Sequence, residues 1–131
     1  MDRHPPQAHE PAYWLKLAQA ETRATLRAVP EELRVRLRDV PVLFEARPSP
    51  RLLNEGWEDD LLGLFEGANF GETIADGTPH PPTITLFLDN LRDAADDDPQ
   101  TFRQEVRTTL LHEIGHFLGL EEEDLIARDL E

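Results

Sequence analysis

The sequence contains no cysteine among its 131 residues. This absence excludes disulfide scaffolds, cysteine nucleophiles and metal sites built from thiolates. Basic residues are also scarce, since 13 lysines and arginines stand against 27 acidic residues and leave a net charge of −14. A surface of this sign repels nucleic-acid phosphates and anionic lipid headgroups, so we expect neither a nucleic-acid partner nor a membrane partner.

Long apolar runs are missing as well. No stretch approaches the roughly 18 consecutive apolar residues that a membrane-spanning helix requires. The first residues, Met1 to Pro6, lack the apolar segment of a secretory signal. These observations predict a soluble, cytoplasmic protein.

The chain length is typical of one domain. Residues 1–11 are rich in proline and show no periodicity, which predicts a flexible N-terminal tail, and residues 12–131 are expected to form a single domain. Apolar spacing predicts a helix from Ala12 to about Val29, with Leu15, Ala18, Leu26 and Val29 on one face and with Trp14 and Leu17 beside it. A second, short helix is expected at Pro30.

Alternating and apolar stretches predict three strands, at Val40–Ala46, Leu61–Phe65 and Thr83–Leu88. Pro41 favours either an edge position or the start of a strand for the first of them, because proline cannot donate a ladder hydrogen bond. The turn-rich segment from Gly71 to Pro82 predicts a long loop.

The strongest helical signal lies between Asp98 and Gly119. Asp98 is suited to the N-cap, Pro99 to the first helical position, and Gly119 to a left-handed C-terminal cap. A last short helix is expected from Glu121 to Leu130. The order of helices, strands and helices predicts an α+β fold, in which a small sheet, mostly antiparallel or mixed, packs against helices.

One motif in this helix carries chemistry, and it is the HExxH pattern His112-Glu113-Ile114-Gly115-His116. At 100° per residue the two histidines lie one turn apart on the same side of the helix, and Glu113 adjoins them. Two imidazoles spaced in this way can bind one ion, while the carboxylate can reach a water beside it. A chain of this composition is expected to contain the pattern only about 0.02 times by chance.

Zinc in a catalytic site takes three protein ligands, so a further ligand is required. Gly119 allows the chain to reverse after the helix, and Glu122, three residues later, is predicted as the third ligand. Glu121, Glu123 and Asp124 are alternatives, because all four acids also suit the N-terminus of the last helix.

The stretch from His112 to Glu122 resembles the extended HExxHxxGxx(H/D) signature of metzincin-type zinc peptidases, with Glu122 at the position of the third ligand. True metzincins also have a Met-turn, and the only methionine here is Met1. The chain is more similar to the small bacterial zincin-like "minimal" metallopeptidase family. The similar segments are Val29–Leu33, Val42–Pro50, Leu61–Gly67, Thr83–Leu88 and Glu105–Asp124.

The resemblance implies a zincin-like fold with HExxH on the active-site helix, and one divalent ion per chain, zinc, held by His112, His116 and Glu122. We therefore predict a zinc metallopeptidase in which Glu113 is the general base. The alternative is a non-catalytic metal-binding or protein-interaction module on the same scaffold. The expected substrate is a peptide or protein, and the net charge favours a basic one. No oxyanion partner is obvious, since Tyr13 is distant in sequence and only His80 remains.

Overall fold

The computed structural model describes residues 10–67 and 81–119. The described helices are α1 (Pro11–Ala28), α2 (Glu31–Arg34), α3 (Pro50–Asn54), α4 (Leu88–Ala94) and α5 (Pro99–Leu118), with a 3₁₀ turn at Val35–Leu37 after α2. The described strands are β1 (Val42–Glu45), β2 (Gly63–Glu66) and β3 (Thr83–Phe87). The fold is α+β, as predicted. Residues 1–9 of the predicted tail (1–11), most of the predicted loop (71–80) and the predicted last helix lie outside the described residues. Residue Pro11, assigned to the tail, is the first residue of α1.

The three strands form one mixed sheet in the order β1-β3-β2. β1 is parallel to β3, and β2 is antiparallel to it. The edge position predicted for the first strand is confirmed in this sheet. Pro41 precedes β1, where its missing N–H costs nothing, and its carbonyl accepts a hydrogen bond from Ile84 N at 3.0 Å.

The main core is built around α5, which packs against α1 as well as against β2 and β3. Its largest fully buried side chains come from β3, α4 and α5; they are Ile84, Leu86, Leu91, Phe102, Val106, Leu110 and Ile114. Trp14 of α1 joins them, with its ring edge-on to that of Phe102 at a centroid distance of 4.9 Å. The helix that carries the HExxH motif is therefore the central element of the core.

The buried face of α1 agrees in part with the predicted one, because Ala18 and Val29 are buried as expected. Its fully buried positions are Trp14, Ala18, Thr22 and Thr25, whereas Leu15 and Leu26 are only partly buried. The large indole of Trp14 packs against α5, and this contact turns its own side of the helix inward. Apolar periodicity could not place Thr22 and Thr25 inside, because threonine counts as polar in such a pattern.

The second face of the sheet carries a smaller apolar cluster. Leu52 of α3 packs there with Leu64 of β2 and Phe87 of β3. Strand β3 is thus buried on both faces. The helix responsible, α3, was not predicted, and neither was α4, which begins at Leu88 directly after β3. In the ranges that the structure describes, no helix has both the length and the apolarity to cross a membrane.

Candidate metal centre and cleft

Helix α5 is held at both ends by the caps that its sequence predicts. The Asp98 side chain accepts hydrogen bonds from Thr101 N at 2.9 Å and from Thr101 Oγ1 at 2.7 Å. These two bonds hold the pKa of the Asp98 carboxyl below its ordinary value. At the other end Gly119 adopts the left-handed conformation with φ of 72°. The HExxH residues therefore occupy the last turns of a helix with fixed ends.

The three motif side chains form one compact group. His112 and His116 are exposed, while Glu113 is buried with 6% exposure. The two imidazole rings lie 4.4 Å apart, centroid to centroid, and are inclined by 67°. One ligand atom from each of the three residues can be chosen so that all lie within 4.8 Å of one another. The motif thus assembles as its helical spacing predicted.

Glu113 is oriented by a backbone group of the neighbouring strand. The Phe65 N–H of β2 donates a hydrogen bond to Glu113 Oε1 at 2.9 Å. His116 Nδ1 lies 3.2 Å from the same oxygen. When the ring proton is on Nδ1, that N–H donates to Glu113 and leaves the lone pair of Nε2 for an ion. Within residues 10–67 and 81–119 no hydrogen bond involves Glu113 Oε2.

The approach of β2 to α5 that permits this bond depends on Gly63. A Cβ at Gly63 would lie 2.6 Å from Thr109 Cγ2, on the turn of α5 before Glu113, and 3.2 Å from Leu86 Cδ2. A side chain at this position would force the strand and the helix apart. Sequence reasoning missed Gly63, although a glycine in a strand pattern is a known sign of close backbone approach.

The donor set fits a zinc-class cation. The two imidazoles are nitrogen ligands that zinc accepts, and they leave coordination positions for a further ligand and a water. His112 and His116 can hold the ion from one side of α5, and Glu113 lies close enough to reach a water beside that ion. The predicted third ligand, Glu122, lies outside the described residues, as do its alternatives Glu121, Glu123 and Asp124, so this assignment stays a prediction. His80 lies outside them too.

An open cleft of about 470 Å³ adjoins the histidines. One wall is α5, and the other is formed by β2 and the segment before it. The lining residues are mainly apolar, and they include Trp57, Leu61, Leu62, Leu64, Phe65, Glu105, Thr108, Leu111, His112 and His116. Tyr13 is not among them; its ring packs against Trp14 on α1 at 5.2 Å. No signal in the sequence identified Trp57 or Glu105 as cleft residues.

The sequence pattern of one protein family, described as zincin-like metallopeptidase, matches residues 37–131 of the chain. This range includes all three strands, α5 and the complete HExxH motif. No curated protein matches the chain.

Proposed function

The chain belongs to the zincin-like metallopeptidase family, and we propose that it is a zinc-dependent peptidase that hydrolyses peptide bonds with Glu113 as general base. The observation that carries this proposal is the His112-Glu113-His116 group at the wall of an open cleft. A metal site that served stability alone would not require this access, because structural zinc sites are closed.

The edge of β2 supplies a second support. Leu62 O accepts a hydrogen bond from Phe87 N at 2.9 Å, so the antiparallel register directs the peptide groups of Gly63 and Phe65 away from β3. The Phe65 N–H is bonded to Glu113, while the other outward groups border the cleft. An extended peptide could add to such an edge as a further strand. The position of this strand edge beside the cleft favours a peptidase over a non-catalytic module.

The roles of the side chains follow from their positions. His112 and His116, with Glu122 as the predicted third ligand, would hold the ion, which supplies the Lewis acidity that polarises a scissile carbonyl and acidifies a water. Glu113 accepts the proton of the attacking water and returns it to the leaving amine. Because Oε1 is held by Phe65, Oε2 is the oxygen of Glu113 that is placed to take this proton.

The Glu113→Gln variant tests the proposal. The amide oxygen can still accept from Phe65 N–H, so we expect the fold and the zinc content to persist. Hydrolysis should fall by about 10²–10⁴-fold, because an amide cannot take up the proton. Zinc content is measured by elemental analysis, and hydrolysis by cleavage of a peptide library with and without a chelator.

The matched control is His112→Ala, which should lose zinc and activity together. Equal turnover by Glu113→Gln and the wild type would remove Glu113 from the mechanism. Stoichiometric zinc without cleavage of any library peptide would favour the non-catalytic module instead.

A further inference from the structure

The cleft extends past the metal ligands toward the N-terminal half of α5. Glu105 and Thr108 line this extension, about two turns and one turn before His112. Since a helix rises about 1.5 Å per residue, Glu105 lies about 10 Å along the axis from His112. Leu61 and Leu62 form the facing wall, and Trp57 belongs to the same lining with 43% exposure. The extension is therefore an apolar slot with one carboxylate at a defined distance from the site.

Glu105 is distinguished by its position, because it is the acidic residue that lines the extension. In the described part of the chain it makes no ion pair, whereas Glu55 and Glu66 both pair with Arg51. Among the described residues that line the cleft there is no lysine or arginine. Glu113, the second carboxylate in this described lining, is held by Phe65 N–H. Glu105 is thus the carboxylate of the extension that an incoming cation would meet.

We propose that this extension is a specificity subsite for a lysine or arginine side chain of the peptide substrate. Such side chains combine an apolar stem with a cationic head, which matches leucine walls that lead to a carboxylate. A cation is also attracted to the face of a tryptophan ring, and Trp57 offers one. Glu105 and Trp57 are then specificity-determining residues. This subsite rests on the proposed peptidase function.

The distance from the metal ligands limits where in the substrate the basic residue lies. An extended peptide advances about 3.3 Å per residue. A site about 10 Å from His112 therefore takes a side chain within about three residues of the scissile bond. The net charge of −14 also attracts basic peptides. This general attraction does not depend on where the basic residue lies in the peptide, and dissolved salt screens it over about 8 Å.

The test compares peptides that carry lysine or norleucine at one position and are otherwise identical. Norleucine keeps the apolar stem and lacks only the charged head. Two measurements are made at low and at high ionic strength: cleavage by the zinc-loaded wild type, and binding of labelled peptides to Glu113→Gln by fluorescence anisotropy. We expect lysine to be preferred about tenfold within three residues of the cleaved bond.

Each measurement is repeated with Glu105→Gln, Trp57→Leu and the matched control Glu32→Gln. The control removes one exposed acid of α2 that is not among the described residues of the cleft lining. Glu105→Gln should abolish the preference for lysine, Trp57→Leu should reduce it, and Glu32→Gln should leave it unchanged. Equal loss in Glu105→Gln and Glu32→Gln, or a preference for norleucine, would overturn the subsite.

The two measurements separate this subsite from the peptidase proposal. Cleavage without any preference at a position near the scissile bond would overturn the subsite and leave the peptidase intact. If the binding assay shows a preference for lysine that is lost in Glu105→Gln, and no peptide is cleaved, the result would support the subsite and contradict the peptidase. Absence of both cleavage and lysine-dependent binding would contradict both.

Discussion

At the scale of single residues, Gly63 determines how closely strand β2 can approach helix α5. Its backbone does not have a positive φ, so alanine could adopt the same conformation. The obstacle is space alone, because Thr109 Cγ2 lies 2.6 Å from the position of a Cβ. Thr109 is buried and β-branched, so its side chain has little freedom to move. The Phe65–Glu113 hydrogen bond, two residues farther along β2, depends on this approach.

We therefore expect Gly63→Ala to destabilise the protein by about 1–3 kcal/mol, although glycine-to-alanine changes at unstrained positions usually stabilise. Denaturant unfolding measures this change. Thr109→Ser removes Cγ2 and keeps the hydroxyl, so the double variant should recover part of the loss. A double-mutant cycle should give a coupling of about 0.5–3 kcal/mol between the two sites. Strictly additive effects would contradict the close contact.

At the scale of secondary-structure elements, α5 was predictable from end to end and the shorter helices were not. Asp98, Pro99 and Gly119 mark its limits, and these local signals agree with the observed bounds. Helix α3 has a similar start, with Ser49 as N-cap and Pro50 at the first position, but its five residues are too few to show periodicity. Helix α4 follows β3 without a loop, so no turn signal marks its start.

Local sequence signals could not predict how the strands pair with one another. Each strand was recognised from its own residues, and its predicted ends lie within two positions of the observed ones. The order β1-β3-β2, which places β2 at the edge beside α5, depends on contacts between distant segments. Only the edge position of β1 had a local sign, in Pro41. Long-range packing decides such an arrangement, and a single sequence contains no direct record of it.

The cap at the start of α5 gives a prediction at this scale. Asp98→Ala should lower the melting temperature by a few degrees at neutral pH, because the first turn loses two hydrogen bonds. The folded-state pKa of Asp98 is lowered, so its stabilisation is complete above the unfolded pKa of about 3.9 and is lost as the pH falls through the folded value. The difference between wild type and variant should therefore shrink in acid.

The matched control for this cap is Asp98→Asn. Asparagine also caps helices but does not ionise in this range, so it should keep most of the stability at neutral pH and show a weaker dependence on acid. Thermal melts by circular dichroism over a pH series measure all three proteins. Equal melting temperatures for Asp98→Ala and the wild type at neutral pH would show that the cap does not contribute.

At the scale of the whole molecule, the grouping of His112, Glu113 and His116 could be predicted from the sequence, but the residues around it could not. His112, Glu113 and His116 are neighbours on one helix, so their spacing alone brings them together. Phe65 and Glu113 are separated by 48 residues, and their hydrogen bond exists only because β2 packs beside α5. Trp57 and Glu105 meet around the cleft for the same reason. A motif identifies the chemistry, whereas the tertiary fold determines what the cleft can accept.

Metal binding should also be measurable as stability of the entire chain. An ion that binds only the folded state stabilises it by RT ln(1 + [L]/Kd), which is about 2.7 kcal/mol at a hundredfold excess over Kd. We expect zinc to raise the melting temperature of the wild type relative to chelator-treated protein.

Glu122→Ala should show a much smaller rise if Glu122 is the third ligand, whereas the neighbouring change Glu121→Ala should leave the rise nearly intact. A larger loss in Glu121→Ala than in Glu122→Ala would transfer the ligand role to Glu121. An ion that binds only the folded chain must stabilise it. If zinc does not change the melting temperature of the wild type, His112 and His116 are therefore ordinary surface residues of α5 and not metal ligands.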